Sequence, residues 1–99
     1  MKFIICGAGQ VGYSIAQYLS VEDNEITVVD QSPELIERIA ENLDVRAILG
    51  HAAHPDVLER AGAKNADMLI AVAQQDEVNM VAAQVAHSLF KVPMKIARI

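Results

Sequence analysis

A single cysteine, Cys6, leaves no partner for a disulfide within the chain, which fits a reducing compartment such as the cytosol. Tryptophan is absent, and two Tyr and two Phe are the whole aromatic set. The core must therefore be built from Ile, Val, Leu and Ala. Basic residues are scarce: eight Lys and Arg stand against 13 Asp and Glu, for a net charge of −5. That balance argues against the clustered positive surface that a nucleic-acid backbone requires, so no nucleic-acid partner is expected. No apolar run approaches the ~20 residues that cross a bilayer, so direct membrane insertion is not expected. The first apolar stretch is short and ends in glycine, unlike the core of a signal peptide. Repeats, low-complexity tracts and linkers are missing too, which leaves one domain over residues 1–99. What is present is 53% hydrophobic and 21% charged, the balance of a packed domain rather than a disordered one.

The stretch around which the rest is organised is Lys2–Gly12, KFIICGAGQVG. An apolar run breaks into Gly7-Ala8-Gly9-Gln10-Val11-Gly12, and a helical pattern follows. This is strand, tight turn and helix, with glycines at the G-x-G-x-x-G spacing of a dinucleotide site. Gly7 lets the chain turn sharply, Gly9 lets a pyrophosphate approach the backbone, and Gly12 lets the helix pack closely on the sheet. The helix N-terminus would face the phosphates. The competing reading is a tight strand–helix turn that holds no ligand.

Along the chain, a strand over Lys2–Cys6 is followed by a helix from about Gln10 to Leu19, with Val11, Ile15 and Leu19 on one face and Tyr18 beside them. Glu25–Val29 reads as the second strand, closed by Asp30. Ser32 is placed as an N-cap with Pro33 in the first helical position, and the helix runs to about Asn42. Asp44–Leu49 reads as the third strand and Pro55–Ala61 as a short helix stopped by Gly62. Asp67–Val72 has almost no alternation, as in a strand buried on both faces. Asp76–Phe90 is the longest helix, with Val78, Val81, Ala82, Val85 and Leu89 on one face. Lys95–Ile99 is the fifth strand. The order β-α-β-α-β-α-β-α-β implies an α/β fold: a Rossmann-like, doubly wound parallel sheet in the order 3-2-1-4-5 with right-handed crossovers. The full dinucleotide fold has a sixth strand, so the domain is expected to be C-terminally truncated.

Asp30 is the second anchor. It lies eighteen residues after Gly12, close to the ~20 at which a carboxylate meets the adenosine ribose. Neither Gln31 nor Ser32 carries a positive charge for a 2′-phosphate, so NAD is favoured over NADP. The competing role for Asp30 is to cap the next helix. Gly50-His51-Ala52 and Ala71-Val72-Ala73-Gln74 end the third and fourth strands, on the side of the sheet where ligands bind. Ordinary loop chemistry is the alternative for both. His51, His54 and Asp56 lack the fixed spacing of a metal site and read as polar loop residues. Cys6 reads as a small core residue rather than a redox sensor. His87 reads as part of a solvated face, with a subunit contact as the alternative. No Ser/His/Asp set, carboxylate pair or Tyr-x-x-x-Lys is present, so no enzyme activity is expected.

GAGQVG at Gly7–Gly12, VVD at Val28–Asp30, GHAAHPDVLERAGAKNADMLIAV at Gly50–Val72, DEVNMVAAQVA at Asp76–Ala86 and KIARI at Lys95–Ile99 cover nearly the whole chain. Together they resemble the N-lobe of the potassium-transport nucleotide-binding domain, also called RCK or KTN, in its TrkA-type branch. The resemblance implies a Rossmann domain that forms a dimer or higher homo-oligomer and joins a ring beneath a membrane-embedded potassium transporter subunit, at the cytoplasmic face of the membrane. It implies NAD or NADH as the ligand, with ADP or ATP in related members, and ligand-dependent gating of ion flux without catalysis. It carries the phosphate-loop, ribose-acid and strand-end positions onto Gly7, Gly9, Gln10, Val11, Gly12, Asp30, His51, Ala52 and Ala73, and places Arg98 near ligand phosphates. Two positions depart from the family pattern: Gly50-His51-Ala52-Ala53 stands where Gly-Asp-Ala-Thr is usual, and Ala73 stands where Thr often follows the fourth strand. Two other readings remain at this point, the cofactor domain of an NAD-dependent oxidoreductase and a dimerisation module with a vestigial pocket.

Overall fold

The computed structural model describes Met1–Arg98. Ile99, which the sequence reading assigns to the fifth strand, lies outside the described residues. The strands are β1 (Lys2–Cys6), β2 (Glu25–Asp30), β3 (Arg46–Leu49), β4 (Met68–Ala71) and β5 (Met94–Ala97). They form one parallel sheet in the order β3-β2-β1-β4-β5, as expected. The helices are α1 (Gln10–Ser20), α2 (Pro33–Asn42), α3 (Pro55–Arg60) and α4 (Asp76–Ser88), and none is long and apolar enough to cross a membrane. The period-two alternation of the central strands divides the core. Phe3 and Ile5 of β1, Val28 of β2 and Ile70 of β4 pack on one face with Ala16 of α1 and Ile39 of α2. Ile4, Cys6, Val29 and Leu69 pack on the other with Leu58 of α3 and Ala82 of α4. Cys6 is fully buried, and burial pushes its thiol up to about 12, so it stays protonated and serves as a small core residue.

The local signals in the sequence act as expected at α2. Ser32 is its N-cap, with Oγ accepting the Leu35 N–H at 3.3 Å, and Pro33 opens the helix. The helix faces differ from expectation. In α1 the buried residues are Gly12 and Ala16, flanked by the partly buried Tyr13, Ile15 and Leu19, while Val11 and Tyr18 are exposed. The close approach of Gly12 to the loop ahead of it sets the helix rotation. Val11 and Tyr18 then lie roughly 100–120° around the helix from Gly12. In α4 the contact line likewise runs through Asn79, Ala82 and Ala86, and leaves Val81 and Leu89 exposed. Several boundaries also differ, among them the end of α3 at Arg60 and that of β5 at Ala97. β3 starts at Arg46, with Asp44 and Val45 in the preceding loop, and β4 is shorter than Asp67–Val72. β5 begins one residue early, at Met94, and α4 ends at Ser88. One turn of 3-10 helix, Ala63–Asn65, follows Gly62, whose φ of 92° is left-handed.

Candidate functional site

The chain leaves β1 between its two neighbours. The Gly7 N–H donates to Val29 O of β2 at 2.8 Å, and the Val72 N–H beyond β4 donates to Cys6 O at 2.8 Å. This is where the strand order reverses, the place at which open α/β sheets bind ligands. Gly7 takes φ 119°, and a Cβ there would lie 2.9 Å from Ala73 N and from Val72 C and O. Both the turn and the approach of the β4–α4 loop therefore require glycine. Gly9 is the N-cap of α1, with φ −72° and ψ −163°. A Cβ on Gly9 would meet nothing within 4 Å. The first bond of the helix runs from Tyr13 N–H to Gly9 O at 2.8 Å, which leaves the amides of Gln10, Val11 and Gly12 outside the helical ladder. A Cβ on Gly12 would lie 1.8 Å from Gly7 O, so this glycine seats α1 against the loop.

Asp30 joins three segments. Its Oδ2 accepts the Ala8 N–H at 2.7 Å and its Oδ1 accepts the Ser32 N–H at 2.8 Å. Its main-chain oxygen accepts the Gly50 N–H at 2.9 Å. The carboxylate thus fixes the glycine loop to the β2–α2 turn, and each of its oxygens retains acceptor capacity. The competing role of helix cap falls to Ser32 and not to Asp30, whose carboxylate instead orders the turn ahead of α2.

These loops surround a cavity of about 560 Å³ at the carboxyl ends of the strands, within the size range of ligand sites. Of the residues named from the sequence, Gly7, Gly9, Gln10, Val11, Asp30, Gln31, Ala52, Ala73 and Arg98 line it. Asp30 and Arg98 are the charged residues among the lining. The exposed guanidinium of Arg98 donates from Nη2 to Ala73 O at 3.3 Å. Two named residues stand apart. Gly12 lies behind the loop, packed on Gly7. The His51 ring turns aside and stacks on His54 with 4.5 Å between centroids, its Nδ1 accepting the Ala53 N–H at 3.0 Å. Nδ1 therefore carries no proton in this arrangement. Among the described residues no three His, Cys, Asp or Glu side chains group as metal ligands would.

Gln74, named at the end of the fourth strand, lines the cavity too, but sequence reasoning missed Gln75 and Val78 in the cavity wall and Asn79 beneath it. Asn79 is fully buried. Its Oδ1 accepts the Ala73 N–H at 2.8 Å, and its Nδ2 donates to Ala73 O and Arg98 O, both at 2.9 Å. One signal could have found it: Asn79 shares the i, i+3, i+7 face of Ala82 and Ala86, a polar residue on a line of small buried ones.

A parallel sheet in this order, with a glycine-rich β1–α1 loop and a crevice at the switch point, defines a domain of the Rossmann type. The profile of the TrkA-N domain matches residues 3–99, and the chain belongs to that family. Among sequences, it is 61% identical over 99 residues to a Trk system potassium uptake protein TrkA from Azorhizobium caulinodans. The match takes in 100% of this chain and 22% of that relative. Among solved structures, the AMP-bound Kef CTD of Shewanella denitrificans superposes with a TM-score of 0.82 at 28% identity, over 97% of this chain and 57% of that one. The TrkA-N domain of the inner membrane protein ybaL from Escherichia coli gives 0.78 at 23% identity, over 94% and 69%.

Proposed function

We propose that the crevice binds an adenine nucleotide, NAD or NADH with ADP and ATP as alternatives, and that the chain is the regulatory nucleotide-binding domain of a Trk-type potassium uptake system. The observation that carries the reading is Asp30. Its carboxylate is fixed by the glycine loop itself, at the place where a ribose would meet it beside the phosphate-binding amides of α1. Arg98, across the cavity, supplies positive charge for phosphate, and Gln31 supplies none for a 2′-phosphate. The names of the Trk relatives and the AMP in the Kef structure support the same reading. Among the described residues the lining holds no His, Lys or Tyr, so the alternative reading, the cofactor domain of an NAD-dependent oxidoreductase, would have to draw such a proton-transfer group from elsewhere. Regulation would be a population shift: the ligand biases the assembly by its differential affinity for two arrangements, and gates a membrane-embedded potassium transporter subunit from the cytoplasmic side.

Asp30→Ala tests the site. The variant loses the ribose acceptor and the anchor of Ala8 and Ser32. NADH affinity should fall by about 1–3 kcal/mol, the range for a hydrogen bond to a charged group. Adding Gln31→Arg should shift preference toward NADPH in calorimetric titrations. A double variant with no such shift would show that the acid does not read the ribose.

The proposed assembly is a homo-oligomer joined through α4 and β5. Met80, Val81 and Leu89 from the α4 side and, on the opposite face of the sheet, Met94 and Ile96 on the edge strand β5 are all exposed, apolar surface that is costly to leave in water beside an open strand edge. Light scattering should show at least a dimer at millimolar concentration, and Ile96→Glu should shift it to monomer. A wild-type monomer under those conditions would count against the assembly.

A further inference from the structure

We infer that Asn79 is a positioning residue for the nucleotide site: it holds the β4-side wall and the end of β5 as one unit, and so aims Arg98 at bound phosphate. The inference rests on the nucleotide reading above and adds to it a residue that need not touch the ligand. The hydrogen-bond pattern fixes the orientation of the amide. Ala73 N–H is a donor and requires Oδ1, while the carbonyls of Ala73 and Arg98 are acceptors and require the two hydrogens of Nδ2. Every bond the Nδ2 group can make is used, in a site with no access to water. A buried polar side chain so placed specifies one arrangement of the groups around it, because any other leaves a donor or acceptor unpaired.

Both partners matter to the crevice. Ala73 lines it and lies so near Gly7 that a Cβ on Gly7 would meet Ala73 N, so the position of Ala73 sets the width beside the glycine loop. Arg98 is anchored by both of its main-chain groups, its N–H to Ala71 O at 2.9 Å and its carbonyl to Asn79. Its guanidinium rests on Ala73 O at 3.3 Å, a neutral acceptor that a phosphate would replace with a stronger, charged one. Asn79 is thus the link through which the wall, the cation and the exposed β5 edge move together.

The test compares Asn79→Leu, close in shape but without the three bonds, with Val92→Ala. Val92 is buried at the opposite end of the sheet, so its variant serves as a control for lost stability. With both variants studied well below their melting temperatures, Asn79→Leu should bind NADH at least about tenfold more weakly than wild type, while Val92→Ala binds as wild type does. In an Arg98→Ala background, Asn79→Leu should add little, since contacts that act through one group are non-additive. Equal affinity in the two single variants would overturn the inference. Should Asn79→Leu not fold, amide exchange on the wild type decides. NADH should slow exchange at Ala73 and Arg98 by the same factor, and protection of Ala73 alone would overturn the inference. A wild-type protein that binds no nucleotide overturns the nucleotide reading and this inference with it.

Discussion

Gly9→Val should leave the domain folded and unable to hold a dinucleotide. The backbone at Gly9, φ −72° and ψ −163°, is open to any residue, and a Cβ there meets nothing within 4 Å. Valine is a poorer N-cap than glycine, but Gly9 has no side-chain cap to lose, so the stability cost should be at most about 1 kcal/mol. The empty space around the Cβ is the space a pyrophosphate would need beside the α1 amides. A branched side chain there should raise the dissociation constant for NADH by at least about 100-fold, close to 2.7 kcal/mol. Circular dichroism and calorimetry together check this. A folded variant with unchanged affinity would remove the glycine loop from the site.

The neighbouring glycine should behave in the opposite way. Gly12→Ala places a Cβ 1.8 Å from Gly7 O and 2.8 Å from Gly7 C. Both are backbone atoms of a loop already fixed to β2 and to the β4–α4 loop, so no flexible side chain can yield. Either α1 shifts off the sheet or the loop opens, and the overpacking should cost on the order of 3 kcal/mol. For a domain of this size that lowers the melting temperature by roughly 15 °C. Thermal unfolding reads it directly. A variant that melts within a few degrees of wild type would show that α1 does not depend on that close approach.

The contrast between these two glycines shows what the sequence carries and what it does not. The spacing names both residues and assigns them different tasks, because strand, turn and helix are local and their chemistry is read within a few residues. Strand order was legible for the same reason: helices between apolar runs leave few ways to connect a parallel sheet. Helix rotation was harder to read. A search for apolar stripes favours large side chains such as Val11, Val81 and Leu89, yet α1 and α4 approach through Gly12, Ala16, Ala82 and Ala86. Close contact selected small residues and left some large ones outside.

The site was legible to the extent that it lies on loops named by spacing. Asp30 is found by counting from Gly12. That its two oxygens hold Ala8 and Ser32 is a matter of tertiary position, which no count reveals. His51 sits at a strand end that faces the crevice, but its ring is taken up by His54 and the Ala53 amide. Asn79 was hidden because an asparagine on a helix is ordinarily solvated. Its burial follows from the carbonyls of Ala73 and Arg98, and Arg98 lies nineteen residues further along the chain.

Whether this crevice works as a nucleotide site is open to direct measurement. Isothermal titration of the wild-type protein with NADH, and with NAD, ADP and ATP in parallel, tests it most directly. Saturable binding with one nucleotide per chain is expected, with its loss in Gly9→Val. Absence of heat and of any thermal shift with all four nucleotides at millimolar concentration would contradict it.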